Sequence, residues 1–317
     1  MVAQSEEGRA SNVGLAAMSR GHLNQLLWVT WTGLAVNAVL MGFKFAAGIL
    51  GHSQAVVADA AHTLSDLSTD VAVLVGVRYW SAPADQTHPH GHRRIETLVT
   101  VFIAVVLAGV AAGLIYNALA TLKHEHLVPP GWIAFVAALV SIVTKEGLYQ
   151  WTAAVGRRIR SSAMVANAWH HRSDALSSIP AAMAVLGARL YPRWAFLDHA
   201  GAVVVSLVIL VAARQIGWPA LKQLMDTSAP EKARRRIEEI ALATEGVRTA
   251  HAIRTRYVGS ALAVDLHITV DPSVSVGKGH EISEAVTERL MRQGPEVVDV
   301  VVHLEPDGEG GRTRQEP

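Results

Sequence analysis

Two histidine–aspartate pairs of one spacing, His62–x–x–x–Asp66 and His170–x–x–x–Asp174, lie within stretches apolar enough to span a membrane. Ionisable groups in a bilayer are costly, and those that persist face a partner or a water-filled cavity. Residues four apart share one face of a helix. Each pair can therefore direct an imidazole nitrogen and a carboxylate oxygen at a common point. Two such helices facing each other would form a four-ligand N/O shell, which suits tetrahedral Zn2+. The competing explanation for any one pair is a hydrogen bond that packs helices together. Two pairs of identical spacing favour the metal. A third pair, His267/Asp271, falls in a strand-like segment where the helical argument does not hold.

The first pair belongs to a longer polar stripe, Asp59, His62, Asp66 and Asp70, on an otherwise Ala/Val/Leu segment. Such a stripe cannot face lipid. His62 and Asp66 are its expected ligands, with Asp59 and Asp70 lining the pathway or capping the stripe. In the second pair only His170 stands four before Asp174; His171 points about 100° away. Asn167 is placed to support His170. Downstream of the first stripe, Asp85-Gln-Thr-His88-Pro-His90-Gly-His92 sets three histidines within five residues beside a carboxylate. Pro89 breaks helix there, so the alternatives are a loop metal site and a plain solvated loop. His251, His267, His280 and His303 are dispersed near the C-terminus, and Glu305 closes the last strand-like run. Sequence alone does not bring them together.

These residues need elements to carry them. Half of the 317 residues are apolar and 17% are charged, against about 25% charged in soluble chains. The net charge of +1 points to no nucleic-acid partner, and the absence of cysteine restricts any metal to N and O ligands. Six apolar segments, Leu23–Leu50, Ala55–Trp80, Ile95–Leu122, Gly131–Val155, Met164–Leu190 and His199–Trp218, each reach the ~20 residues that cross a bilayer. The second connection carries Arg93 and Arg94, and the fourth Arg157, Arg158 and Arg160. The first, near Gly51–Ser53, has no Lys or Arg; the third has Lys123 and the fifth Arg193. Positive charge stays inside, so the second and fourth connections and both termini are expected in the cytosol. No cleavable signal peptide is expected, and residues 1–20 read as a disordered cytosolic tail.

After the six-helix domain (21–218), Pro219 and Pro230 bracket a linker (219–230). Residues 231–306 then read α-β-β-α-β: a helix at Glu231–Ala243, strands at His251–Tyr257 and Ala261–Val270, a helix at Lys278–Arg292 and a strand at Val297–Leu304. The fold class is therefore an α-helical membrane protein with six transmembrane helices and a C-terminal cytosolic, ferredoxin-like α+β domain. The Gly-rich, charged stretch 307–317 reads as disordered.

The combination resembles the cation diffusion facilitator family of metal/proton antiporters, over about residues 20–306. Ala58–Asp66 (ADAAHTLSD), His88–Glu96 (HPHGHRRIE) and Trp169–Asp174 (WHHRSD) are similar to family motifs, and Thr249–Arg256 and Val301–Pro306 to those of its bacterial members. The resemblance implies a secondary active transporter and not an enzyme. It implies a homodimer in a bacterial inner membrane that exchanges cytosolic Zn2+ for external protons by alternating access. It implies a transport site of His62, Asp66, His170 and Asp174. It also implies a loop site of Asp85, His88 and His92, and a cytosolic site of His251, His267, His303 and Glu305 at a dimer interface, with His280 contributing. Arg94 and Asp226 match positions that pair to hold the membrane and cytosolic parts of the dimer together. A bacterial member has Asp where this chain has His62, and the His form resembles the zinc-preferring members. Transport of Mn2+, Fe2+ or Co2+ and a non-transporting metal sensor are the alternatives. An intramembrane zinc hydrolase, with Asp59 or Glu146 as base, would need an open metal position that a closed four-ligand shell lacks.

Overall fold

The computed structural model describes residues 20–80, 82–122, 128–159 and 161–308. Lys123 and Arg160, two of the charges used to orient the spans, fall outside these residues, as do 1–19, 309–317 and the side chain of Asp70. The chain forms two compact units, one of residues up to Val71 with Val105–Arg214, the other of Ala72–Ala104 with the chain from Gln215 onward.

Among the described residues seven helices cover the apolar region: α1 (Arg20–Leu50), α2 (Gln54–Trp80), α3 (Arg94–Thr121), α4 (Trp132–Arg158), α5 (Ser162–Ser177), α6 (Ile179–Leu190) and α7 (Phe196–Leu224). By length and composition four of them, Trp28–Leu50, α3, α4 and α7, are able to cross a membrane. The polar stripe dilutes the hydropathy of α2, and the fifth expected span is divided. Met164–Leu190 was expected as one helix; the structure breaks it at Ser178. Pro180 has no N–H to donate, and its ring crowds the preceding turn. The hydroxyls of Ser177 and Ser178 bond back to Asp174 O at 2.9 and 3.2 Å, a pattern that bends helices. The opposite correction applies at Pro219: the linker expected from there begins later, because α7 runs through this proline to Leu224.

In the first unit α4 packs along α5 and against α1 and α6. The N-terminus of α2 is capped from α7: the Asp198 carboxylate accepts from Gln54 N (2.7 Å) and Ser53 Oγ (2.6 Å). An aspartate suits that end of a helix because its first amides lack intrahelical partners.

The C-terminal part of the second unit has the expected order, with α8 (Glu231–Leu242), β1 (Thr249–Val258), β2 (Ala261–Val270), α9 (Val276–Gln293) and β3 (Val297–Pro306). Sheet order is β1-β2-β3, antiparallel between β1 and β2 and parallel between β2 and β3. A parallel pair needs a crossover, and α9 supplies it. Ile282, Val286 and Leu290, four apart on α9, meet Ile237 and Ile240 of α8 and Val264, Leu266 and Ile268 of β2 in one buried core. Each such burial is worth about 1.5–3 kcal/mol. Alternation on the strands leaves the other face polar. β1 carries a bulge between His251 and Arg254, where Ala252 adopts φ 49°. Asp307, placed at the head of the disordered tail by its sequence, is instead tied down, donating its amide to Val270 O at 2.7 Å and accepting from Arg248 at 2.7 Å.

Candidate metal centres

Among the described residues three groups of N/O ligands assemble, one in the first unit and two in the second. In the first unit, α2 presents His62 and Asp66, and α5 presents Asp174. One ligand atom from each lies within 4.8 Å of the others. His62 and Asp174 are buried. His62 Nδ1 has no hydrogen-bond partner among the described residues, as a nitrogen reserved for another ligand would have none. His170 stands at the margin: its Nδ1 is 3.8 Å from Asp174 Oδ1, and its side chain is 50% exposed. It is outside the three-residue group. Its neighbour His171 is the buried one, with its ring beside Gly33 of α1. Asn167, expected beneath His170, is exposed.

Two buried lysines flank this group. Lys145 of α4 donates to Asp174 Oδ2 at 3.2 Å. Lys44 of α1 donates to Asp59 Oδ2 at 2.7 Å and to Asp59 O at 3.3 Å, while Ser178 Oγ donates to Asp59 Oδ1 at 2.7 Å. Asp59 is thus committed to a clamp joining α1, α2 and the α5–α6 break. Both lysines lie outside the histidine–aspartate pattern that marks this site in the sequence. The signal was present: each is an ionisable side chain in an apolar span, the criterion that singled out the histidines.

In the second unit, the loop between α2 and α3 gathers Asp85, His88 and His92. Asp85 lies 3.5 Å from His88 Nδ1 and 3.4 Å from His92 Nε2. Its Oδ1 accepts from the Thr87 hydroxyl, the Thr87 amide and the His88 amide at 2.7–2.8 Å. The Thr87 hydroxyl and then the His88 amide hold the Asp85 carboxyl down to about 2. His90 stays outside the group.

On the polar face of the sheet, strand register does what the sequence left open. His251, His267 and His303 pair in one row across β1, β2 and β3, and Glu305 stands two residues along from His303. Its carboxylate is 3.3 Å from His251 Nε2, 3.0 Å from His267 Nδ1 and 3.5 Å from His303 Nε2. His280 is not brought here. It is exposed on α9, 3.9 Å from Glu284. Arg94, at the start of α3, and Asp226, after α7, form an ion pair at 3.0 Å.

Apolar helices that carry a nitrogen–carboxylate cluster, in a chain that also has an α+β domain with a cluster of its own, fit a membrane protein that handles metal cations. The chain belongs to the cation efflux family: residues 30–225 match the cation efflux transmembrane domain, and residues 229–307 match the cytoplasmic domain of cation efflux proteins. This is a family of transporters, not of enzymes. The chain is 36% identical over 289 residues to metal tolerance protein C1 of Arabidopsis thaliana, covering 86% of this chain but only 61% of that one. It is 36% identical over 259 residues to the magnetosome protein MamM of Magnetospirillum gryphiswaldense, covering 81% of each. It is 28% identical over 283 residues to the manganese efflux system protein MneP of Bacillus subtilis, covering 88% of this chain and 95% of that one.

Proposed function

We propose that the protein exports a divalent cation, with Zn2+ as its preferred cargo, from the cytosol in exchange for protons. The supporting observation is the convergence of His62, Asp66 and Asp174 within 4.8 Å, with His170 at hand for the fourth position. Two imidazoles and two carboxylates make a borderline N/O set that zinc accepts in tetrahedral geometry. Metal enters from the cytosolic side, and α2 and the α5–α6 pair then move against the other helices to open the outer face. Imidazole must be neutral to ligate. Protons arriving from outside therefore compete with the metal for His62 and His170 and drive its release.

The functional form is a homodimer, in a bacterial inner membrane with both termini cytosolic. Arg94 and Asp226 strengthen its assembly. The loop site and the His251/His267/His303/Glu305 site sense cytosolic metal, which requires their affinity to differ between two states of the dimer. A second reading has one specific support: the name of the Bacillus relative records manganese efflux, and Asp66 and Asp174 supply the carboxylate oxygens that suit Mn2+.

The test is metal flux into proteoliposomes under an imposed pH gradient, with Zn2+ and Mn2+ in competition, for the intact chain and Asp66→Ala. Gradient-dependent Zn2+ flux that is lost in the variant supports the proposal. Preferential Mn2+ flux transfers it to the second reading, and flux that survives Asp66→Ala removes the site from these residues.

A further inference from the structure

We propose that the Lys145 ammonium is the resident cation of the transport site, which the cargo must displace in order to bind and which displaces the cargo on release. This rests on the assignment of His62, Asp66 and Asp174 as cargo ligands, and it concerns a residue on a helix that contributes none of them.

Asp66 and Asp174 place two carboxylates in one buried cluster. Like charges at such separation disfavour each other, and burial disfavours both. A transporter must nevertheless present this site without metal in every cycle. The Lys145 side chain, 0% exposed, places Nζ 3.2 Å from Asp174 Oδ2. With Lys145 in place the two carboxylates are half neutralised. A divalent ion neutralises them fully only if the ammonium withdraws; if both stay, the site holds one net positive charge in a low-dielectric setting.

The neighbouring pair supplies the contrast. Lys44 and Asp59 are also buried, but they are fastened: 2.7 Å between the charged groups, a second bond from Lys44 to Asp59 O, and Ser178 on the remaining carboxylate oxygen. Asp59 belongs to no ligand cluster. Lys145 makes one described hydrogen bond, a longer one, to a carboxylate that also faces His170. A flexible four-carbon stem with a compact charge is suited to leave and return. Lys44 is built as a fixed clamp and Lys145 as an exchangeable one.

The rival role for Lys145 is orientation. It would hold Oδ2 while the metal takes Oδ1, as residues behind a metal ligand commonly do. The two roles predict opposite signs. Removing a support weakens metal binding; removing a competitor tightens it.

The experiment uses the full chain in nanodiscs and proteoliposomes, in a background with His92→Ala and Glu305→Ala to silence the other two clusters. Zn2+ affinity is measured by chelator competition, and Zn2+ flux under a fixed pH gradient gives KM and maximal rate. Lys145→Met is expected to lower the Kd at least tenfold, to lower KM and to lower the maximal rate, because the cargo now leaves slowly. Lys145→Arg, which restores a cation, is expected to bring the Kd back toward that of the parent. Should Lys145→Met fail to assemble, Lys145→Gln carries the same expectation. An unchanged or raised Kd in the neutral variant overturns the proposal, as does a fall in maximal rate with no fall in KM. Zn2+ binding that is indifferent to Asp66→Ala overturns the site assignment itself, a failure distinct from that of Lys145.

Discussion

Asp59→Asn should destabilise the membrane domain far more than an ordinary polar substitution between helices. Lys44 and Asp59 are both 0% exposed, with charged atoms 2.7 Å apart. At an effective dielectric constant of about 20, Coulomb's law gives about 6 kcal/mol of gross attraction at that distance. Much of this offsets desolvation, so the pair as a whole adds little. Breaking it from one side is different: the Lys44 ammonium stays buried without its counter-charge, which costs about 3–5 kcal/mol. The isosteric amide also weakens the contact with Ser178. In the double variant Lys44→Met/Asp59→Asn no charge is stranded, and most of the loss should be recovered. At about 2–4 °C per kcal/mol, the single variant should melt about 6–20 °C lower. Tryptophan emission in detergent is a suitable assay, since Trp28 of α1 meets Trp151 of α4 edge to face at 5.9 Å. The quantity to extract is the coupling between the two positions. A value near 0.6 kcal/mol, typical of polar contacts measured between helices in a bilayer, would refute the claim that this pair is a buried clamp.

Other consequences can be checked separately. The Asp85 carboxyl, held at about 2 by Thr87 and the His88 amide, lies below the ordinary aspartate value near 3.9. The order it lends the loop is therefore complete above about pH 4 and disappears as the pH falls through 2; carbon NMR of the carboxyl should show that midpoint, and one near 4 would mean the turn is not formed. Gly246 has φ 91°, and an added Cβ would sit 2.6 Å from Ile282 Cδ1. Gly246→Ala should thus cost about 1–2 kcal/mol in chemical denaturation of the C-terminal domain, and an unchanged midpoint would contradict that backbone. Arg94 and Asp226 are 51% and 54% exposed, so Arg94→Glu should cost no more than about 1 kcal/mol in thermal stability, with partial recovery on adding Asp226→Arg. A loss of several kcal/mol would mean that exposure misrepresents this pair.

The parts of the molecule legible in the sequence were those governed by short-range periodicity. Spacing four on α9 identifies Ile282, Val286 and Leu290 as a buried face, and spacing four between His170 and Asp174 places their ligand atoms 3.8 Å apart. What escaped depends on contacts distant in sequence. Helix geometry separates His170 from His171 but cannot tell which is buried; the packing of other helices along α5 decides that. The row of His251, His267 and His303 depends on a parallel pairing closed by α9, and no local pattern encodes that register. Proline proved ambiguous for the same reason. Pro180 coincides with a helix break, whereas Pro219 is absorbed within α7. The buried lysines were missed because neither belongs to a repeat of the kind that drew attention to the histidines.

The bulge in β1 means that this strand carries two reading frames. His251 pairs with His267 in the first, and Arg254 and Arg256 pair with Asp265 and Ala263 in the second, offset by one residue. Alternation along a strand reverses sides at each step, and His251 and Arg254 are an odd number of residues apart; the bulge absorbs the extra residue and so keeps His251 and the Arg256–Asp265 ion pair (2.8 Å) on one side of the sheet. A regular strand of the same length would have to choose: either the histidine row survives and the arginines turn into the apolar core, or the reverse. The backbone conformation at Ala252 is therefore as much a specification of this cluster as the identity of its ligands.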